Sequence, residues 1–216
     1  MIISSSDEVS SLYTAGEAPL GTDSQDPFWL AAPAVQADRD HFGTPASGIE
    51  TMIRSRWTES DLYVLFECPY QTLYLRPDAR RDVRTCELWN WDVVELFIGD
   101  DWEHTECYKE FQLSPQGEWL DLAIDRNPPD PQRHSTWASG FGTGSSIDSA
   151  RRVWHGVMRI PFAAITESAI TAGKTFRANF YRMEGPPGVR KHIAWRATHS
   201  ETFHVPSAFG TLVLTI

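Results

Sequence analysis

The chain is predicted to be all-β, an antiparallel β-sandwich with long loops and little helix, on three observations. Apolar residues recur with period two rather than 3.6, the signature of strands that bury one face. The runs are short and are parted by Gly, Pro, Asp and Asn clusters, and no long helical pattern lies between them. A length of 216 residues suits one sandwich better than two average domains.

Residues 1–25 read as a polar leader, partly ordered at best, because their Ser, Gly and Asp content leaves little to bury. The domain is expected to span residues 26–216 and to open on the apolar anchor Asp26-Pro-Phe-Trp29. In Thr51–Trp57, Met52, Arg54 and Arg56 alternate with Ile53, Ser55 and Trp57. After the turn-like Glu59-Ser-Asp61, Leu62, Val64 and Phe66 fall on one side of the next strand and Tyr63, Leu65 and Glu67 on the other. The two segments predict a hairpin. Further strands are expected at Val93–Ile98, Tyr108–Leu113, Trp119–Ile124, Val153–Ile160, Phe176–Met183, Ile193–Arg196 and Leu212–Ile216. A turn of helix is expected at Phe162–Ile165, and the Pro-rich stretch Asn127–Pro131 reads as a long loop.

Composition narrows the function. A net charge of −10 disfavours a groove that tracks phosphates, so nucleic acid is not an expected partner. No apolar span of about 20 residues is present, so no membrane partner is expected. Met1–Ser6, followed by Asp7 and Glu8, lacks the basic start and apolar core of a secretory signal. An extracellular or periplasmic site would need a removed leader; otherwise a cytoplasmic one is expected. Cys68, Cys86 and Cys107 form no CxxC arrangement and read as ordinary thiols. Nine tryptophans in a chain with 12% aromatics are more telling, because tryptophan serves both core packing and stacking.

Catalytic and metal patterns are weak. Asp92 and Glu95 are the sort of carboxylate pair a glycosidase uses, but residues three apart on a strand point to opposite faces. Cys107 with His104 or His199 lacks a surrounding protease-like signature. Gly185-Pro-Pro-Gly188 is a turn, since its prolines remove the amide donors of an anion cradle. Gly99-Asp-Asp-Trp-Glu103 offers hard oxygen ligands that suit calcium near Asp100 and Asp101, against the alternative of a solvated acidic turn. No cofactor is otherwise expected.

Three segments read together carry a resemblance: Trp89-Asn-Trp-Asp-Val-Val-Glu-Leu-Phe-Ile98, Tyr108-Lys-Glu-Phe-Gln-Leu-Ser-Pro-Gln-Gly-Glu-Trp-Leu-Asp121 and Phe203-His-Val-Pro-Ser-Ala-Phe-Gly-Thr-Leu212. With Asp61-Leu-Tyr-Val64 and Phe176-Arg-Ala-Asn-Phe-Tyr181, the chain resembles carbohydrate-binding module family 9 over nearly its whole length after the leader. The resemblance implies a DOMON-like sandwich of jelly-roll type that clamps the end of a sugar chain between two aromatic rings. It places Trp89 on the first ring, Glu95 on a carboxylate that bonds sugar hydroxyls, Phe203 on the second ring and Ser200 at a polar contact. Gln112 and Ser114 stand where the family has an Arg and an Asn, and Phe203 where it has a Trp.

The residues support the same site without the name, because pyranose rings have apolar C–H faces ringed by hydroxyls. Trp89, Trp91, Trp195 and Phe203 supply flat faces, while Glu95, Gln112, Arg196 and His199 supply polar groups nearby. For Trp91 and Trp195, core packing is the competing assignment. The expected partner is a mono- or oligosaccharide, such as a chain end of xylan or cellulose, with a link to carbohydrate catabolism. Three alternatives stand beside it: a carbohydrate-active enzyme with two carboxylates in one cleft, a haem-binding relative using Met52, Met158 or Met183, and a sandwich that has lost its sugar site and mediates protein contacts.

Overall fold

The structure is a computed structural model that describes residues 7–81, 83–127 and 137–216. Thirteen strands join along the order β8-β7-β6-β11-β13-β1-β4-β5-β10-β9, with β2, β3 and β12 paired off this path. They are β1 (Glu8–Tyr13), β2 (Ala34–Ala37), β3 (Arg39–Asp40), β4 (Thr51–Trp57), β5 (Asp61–Pro69), β6 (Val93–Gly99), β7 (Cys107–Leu113), β8 (Trp119–Asp125), β9 (Gly142–Asp148), β10 (Val153–Pro161), β11 (Thr175–Glu184), β12 (Lys191–Ala194) and β13 (Gly210–Thr215). The one α-helical turn among the described residues, α1 (Pro27–Leu30), is capped by the Asp26 side chain, which accepts from the Phe28 amide. Its Trp29 is buried, so the predicted anchor is a short helix.

The path folds into two layers. One layer holds β8, β7, β6, β11 and β13, and the other β4, β5, β10 and β9. Phe66 of β5 meets Phe180 of β11 edge to face, with ring centroids 6.0 Å apart. Gly156 of β10 lies so close to the opposing layer that a Cβ there would sit 3.1 Å from Leu113 and 3.5 Å from Val94. One apolar core therefore fills the space between the layers, drawing Ile53, Phe66, Trp154 and Met158 from one side and Leu96, Phe111 and Phe180 from the other. The alternation on β5 is as expected: Leu62, Val64 and Phe66 enter this core, while Tyr63 and Leu65 pack on Trp29 and Val157 outside it.

One expectation is corrected. The segment taken as a leader carries β1, which pairs with β13 and with β4. Its inward face includes Ser11, whose hydroxyl is buried against that of Ser55, so a polar residue occupies a core position and hides the strand in the sequence. Both β1 ladders are parallel within the otherwise antiparallel sandwich, because β1 lies between the edges of the two layers, and β4 and β13 run in the same direction. Met1–Ser6 and residues 128–131 of the expected Pro-rich loop lie outside the described residues. No helix among the described residues is long and apolar enough to cross a membrane.

Candidate functional site

The second face of the β8-β7-β6-β11 layer turns away from the core, and period-two alternation decides what it presents. On β6, Val94, Leu96 and Ile98 point inward, which leaves Val93, Glu95 and Phe97 outside. On β7, Phe111 and Leu113 point inward, leaving Tyr108, Glu110 and Gln112 outside. Register aligns these into rows: Tyr181, Glu95, Gln112 and Leu120 are successive partners across four strands, and Phe97, Glu110 and Leu122 form the next row. Glu95 and Glu110 are thus diagonal neighbours on one face.

Two loops raise walls around this floor. Residues 88–90 form a single 3₁₀ turn that carries Trp89, half-buried, at one end. The turn is held by Arg190, whose guanidinium donates to the Trp89, Trp91 and Gly185 carbonyls. Asp92 fastens the same region, accepting from the Tyr74 amide at 2.9 Å and the Gly185 amide at 2.7 Å. At the other end, residues 201–204 bring Phe203 and His204 over the sheet; Phe203 stacks on Tyr181 with centroids 4.0 Å apart, and His204 stacks on Phe97 at 5.0 Å. The result is a hollow of about 260 Å³ lined by Trp89, Glu95, Glu110, Gln112, Phe203 and His204 among others. That volume lies at the low end for ligand sites, room for one ring rather than a polymer groove.

The floor is short of partners. Gln112 donates to one Glu110 oxygen, but the other Glu110 oxygen and the Gln112 carbonyl oxygen are buried with no hydrogen-bond partner. His204 Nε2 stands 4.0 Å from that second Glu110 oxygen, beyond hydrogen-bond reach, while His204 Nδ1 is 2.6 Å from the Tyr108 hydroxyl. Burial and then the neighbouring Glu110 push the Glu95 carboxyl well above the usual range; burial raises Glu110 to about 7.

Of the residues singled out in the sequence, Trp89, Glu95, Gln112 and Phe203 line this hollow. Five others do not. Trp195 is core, packed edge-on against Phe180 at 5.7 Å, because β12 turns it into the space between the layers. Trp91 stacks on Tyr74 at 4.7 Å, outside the hollow. The Arg196 side chain pairs with Asp7. Ser114 closes the β7–β8 turn through Glu118 and accepts from the Glu118 amide at 3.1 Å. Ser200 accepts from the Thr202 amide within its own loop. The expected pair of facing rings is corrected as well: Phe203 is only 9% exposed, with one face covered by Tyr181. Glu110, His192, Glu201 and His204 also line the hollow and were missed; for Glu110 the signal was present, since it lies two residues before Gln112 on the same strand face.

The other predicted features fall elsewhere. Asp100 is bound by Lys174 at 2.6 Å and by Thr166 and Ser168, and Asp101 accepts from the Glu103 and His104 amides at the turn. Among the described residues no group of three or more His, Cys, Asp or Glu could hold a metal ion. Met158 is in the core. Cys68 is buried, and Cys86 and Cys107 are exposed free thiols.

A hollow sized for a single ring, with an aromatic wall and buried acceptors, is thus set on the outer face of the β-sandwich. Comparison with known proteins gives the family: the description "Carbohydrate family 9 binding domain-like" matches residues 21–216, and the chain belongs to that family. A protein of Bacteroides uniformis ATCC 8492, described as a candidate carbohydrate-binding protein, superposes with a TM-score of 0.73 at 18% identity, over 96% of this chain and 98% of that one. A family 9 module from Caldicellulosiruptor kristjanssonii in complex with glucose gives 0.69 at 14% identity, over 96% and 95% of the two chains. The same module type with cellotriose gives 0.67 at 14% identity, covering 96% and 93%. An "Extracellular protein" of Arthroderma benhamiae is 23% identical over 176 residues, 76% of this chain and 78% of the relative.

Proposed function

We propose that the hollow binds one sugar ring, free or at the end of a chain, laid against Trp89 with its hydroxyls donating to Glu95, Glu110 and Gln112. The observation that carries this is the pair of buried, unpartnered acceptors, Glu110 Oε2 and Gln112 Oε1, in an aromatic-walled cavity. An unmade buried hydrogen bond costs about 1–3 kcal/mol, so such atoms are expected to be met by a ligand. Stacking rests mainly on Trp89, with Phe203 and His204 forming the opposite wall. The glucose and cellotriose held by the Caldicellulosiruptor modules support a gluco-configured ligand.

Two carboxylates in one hollow invite a hydrolase reading, and the geometry disfavours it. Glu95 and Glu110 rise from adjacent positions on a single floor, so neither could approach the opposite side of a sugar ring. Titration calorimetry with glucose, cellobiose and cellotriose tests the proposal. The parent should bind, and Trp89→Ala should lose at least ten-fold in affinity with an unchanged circular dichroism spectrum. Absence of binding to any sugar by the parent would refute it.

A further inference from the structure

Resting on that site, we infer that the hollow selects amino sugars, taking the ammonium group of a 2-amino-2-deoxyhexose on the paired carboxyls of Glu95 and Glu110 while the ring lies against Trp89.

Three observations converge on a cationic ligand group. First, Glu95 and Glu110 are 2% and 3% exposed and diagonal neighbours on one face, and among the described residues neither forms an ion pair with Lys or Arg, while His204 Nε2 stands 4.0 Å from Glu110 Oε2. The nearest guanidinium with an influence on Glu95 is Arg190, and its side chain donates to the backbone carbonyls that hold the Trp89 turn. Second, Glu110 Oε2 is buried without a hydrogen-bond partner, so an acceptor aimed into the hollow waits for a donor. Third, no lysine or arginine lines the hollow among the described residues, while Glu201 adds a third carboxylate at its rim.

A neutral hydroxyl could satisfy the hydrogen bond but leaves two neighbouring carboxyls to repel each other once both ionise. An ammonium supplies three donors and the compensating charge in one group, and the charge-assisted bonds are roughly twice as strong as neutral ones. It also suits the aromatic wall, since a cation near the Trp89 face is attracted by the ring quadrupole. By the same reasoning a uronic acid is rejected, because its carboxylate would meet like charges in a buried site.

Linkage gives an independent signature. A bound cation favours the ionised carboxyls, so amino-sugar binding releases protons and tightens as pH rises from 5.5 to 7, where the sugar amine stays charged. The other titratable groups that face the pair are Tyr108, Tyr181, Arg190, His192, Glu201 and His204.

The test is calorimetric titration of the full chain with glucosamine, glucose, N-acetylglucosamine and glucuronate at pH 6.5, repeated for glucosamine at pH 5.5 and 7 in buffers of different ionisation enthalpy. Glucosamine should bind at least ten-fold tighter than glucose, acetylation should erase the advantage, and glucuronate should bind weakest. Glu110→Gln should weaken both hexoses and bring their ratio close to one. If that variant misfolds, proton release by the parent and loss of the glucosamine advantage at high salt serve in its place. Equal or weaker binding of glucosamine than glucose overturns the inference while leaving the sugar site standing; no binding to any of the four overturns both.

Discussion

Arg190 shows how much of this site is set by a residue that need not touch the ligand. Its guanidinium bridges the carbonyls of Trp89 and Trp91 to that of Gly185, so the orientation of the Trp89 ring depends on a side chain 101 positions away in sequence. Arg190→Ala should leave those carbonyls without donors, reduce sugar affinity about ten-fold and broaden tryptophan fluorescence; Arg190→Lys should restore little, since one ammonium cannot span three carbonyls. Fluorescence titration with a bound sugar reads both effects. The carboxyl floor carries a second prediction at this scale. A folded carboxyl raised above its unfolded value, about 4.3 for Glu, holds its proton more tightly than the unfolded chain does. Its contribution to stability is fully present below that value and is lost as pH rises through the folded value, about 7 for Glu110. Unliganded protein should therefore lose stability from about pH 4.5 to about 7 in urea titrations, and Glu110→Gln should flatten that slope. At this scale a spaced motif in the sequence brought together Trp89 and Glu95, which both line the hollow. It did not reveal Arg190 or Asp92 as supports, because their partners are backbone atoms of distant turns.

At the scale of elements, what could be read was whatever buries one apolar face. The strands β4 to β8, β10 and β11 all show that alternation, and their bounds fall within two residues of expectation. What escaped notice lacks it. The edge strand β9 reads Gly-Thr-Gly-Ser-Ser-Ile-Asp148, and Gly144 is there because a Cβ would come within 2.5 Å of the Leu20 carbonyl oxygen. Strands β2 and β3 are four and two residues long, too short for a period to declare itself. The paired layers make a direct prediction: Phe66→Ala, at the centre of the β5–β11 contact, should cost about 3–5 kcal/mol in chemical denaturation, the range for a buried aromatic cut to alanine. Ser11→Ala is a gentler probe, removing a buried hydroxyl that leaves Ser55 with the Tyr63 carbonyl 3.2 Å away as a second partner.

For the molecule as a whole, β1 is the seam. It joins the edge of one layer at β13 to the edge of the other at β4, by five and three residue pairs. Deleting residues 1–13 should lower the melting temperature sharply and separate the unfolding curves followed by tryptophan fluorescence and far-ultraviolet circular dichroism, which should coincide for the full chain. The seam also reaches toward the hollow: the Asp7 carbonyl at the head of β1 accepts from the Thr211 amide at 2.8 Å and the Asp7 carboxylate pairs with Arg196, tying the first described residue to the loop that leads to Phe203.

That seam orders events during synthesis. Glu8 pairs with Thr211, residues roughly 200 positions apart, so one edge of β1 has no partner until β13 leaves the ribosome. A nascent chain therefore carries an open, pairing-competent edge while the strands between β1 and β13 are made, and β1 is among the last of the described strands to be sealed.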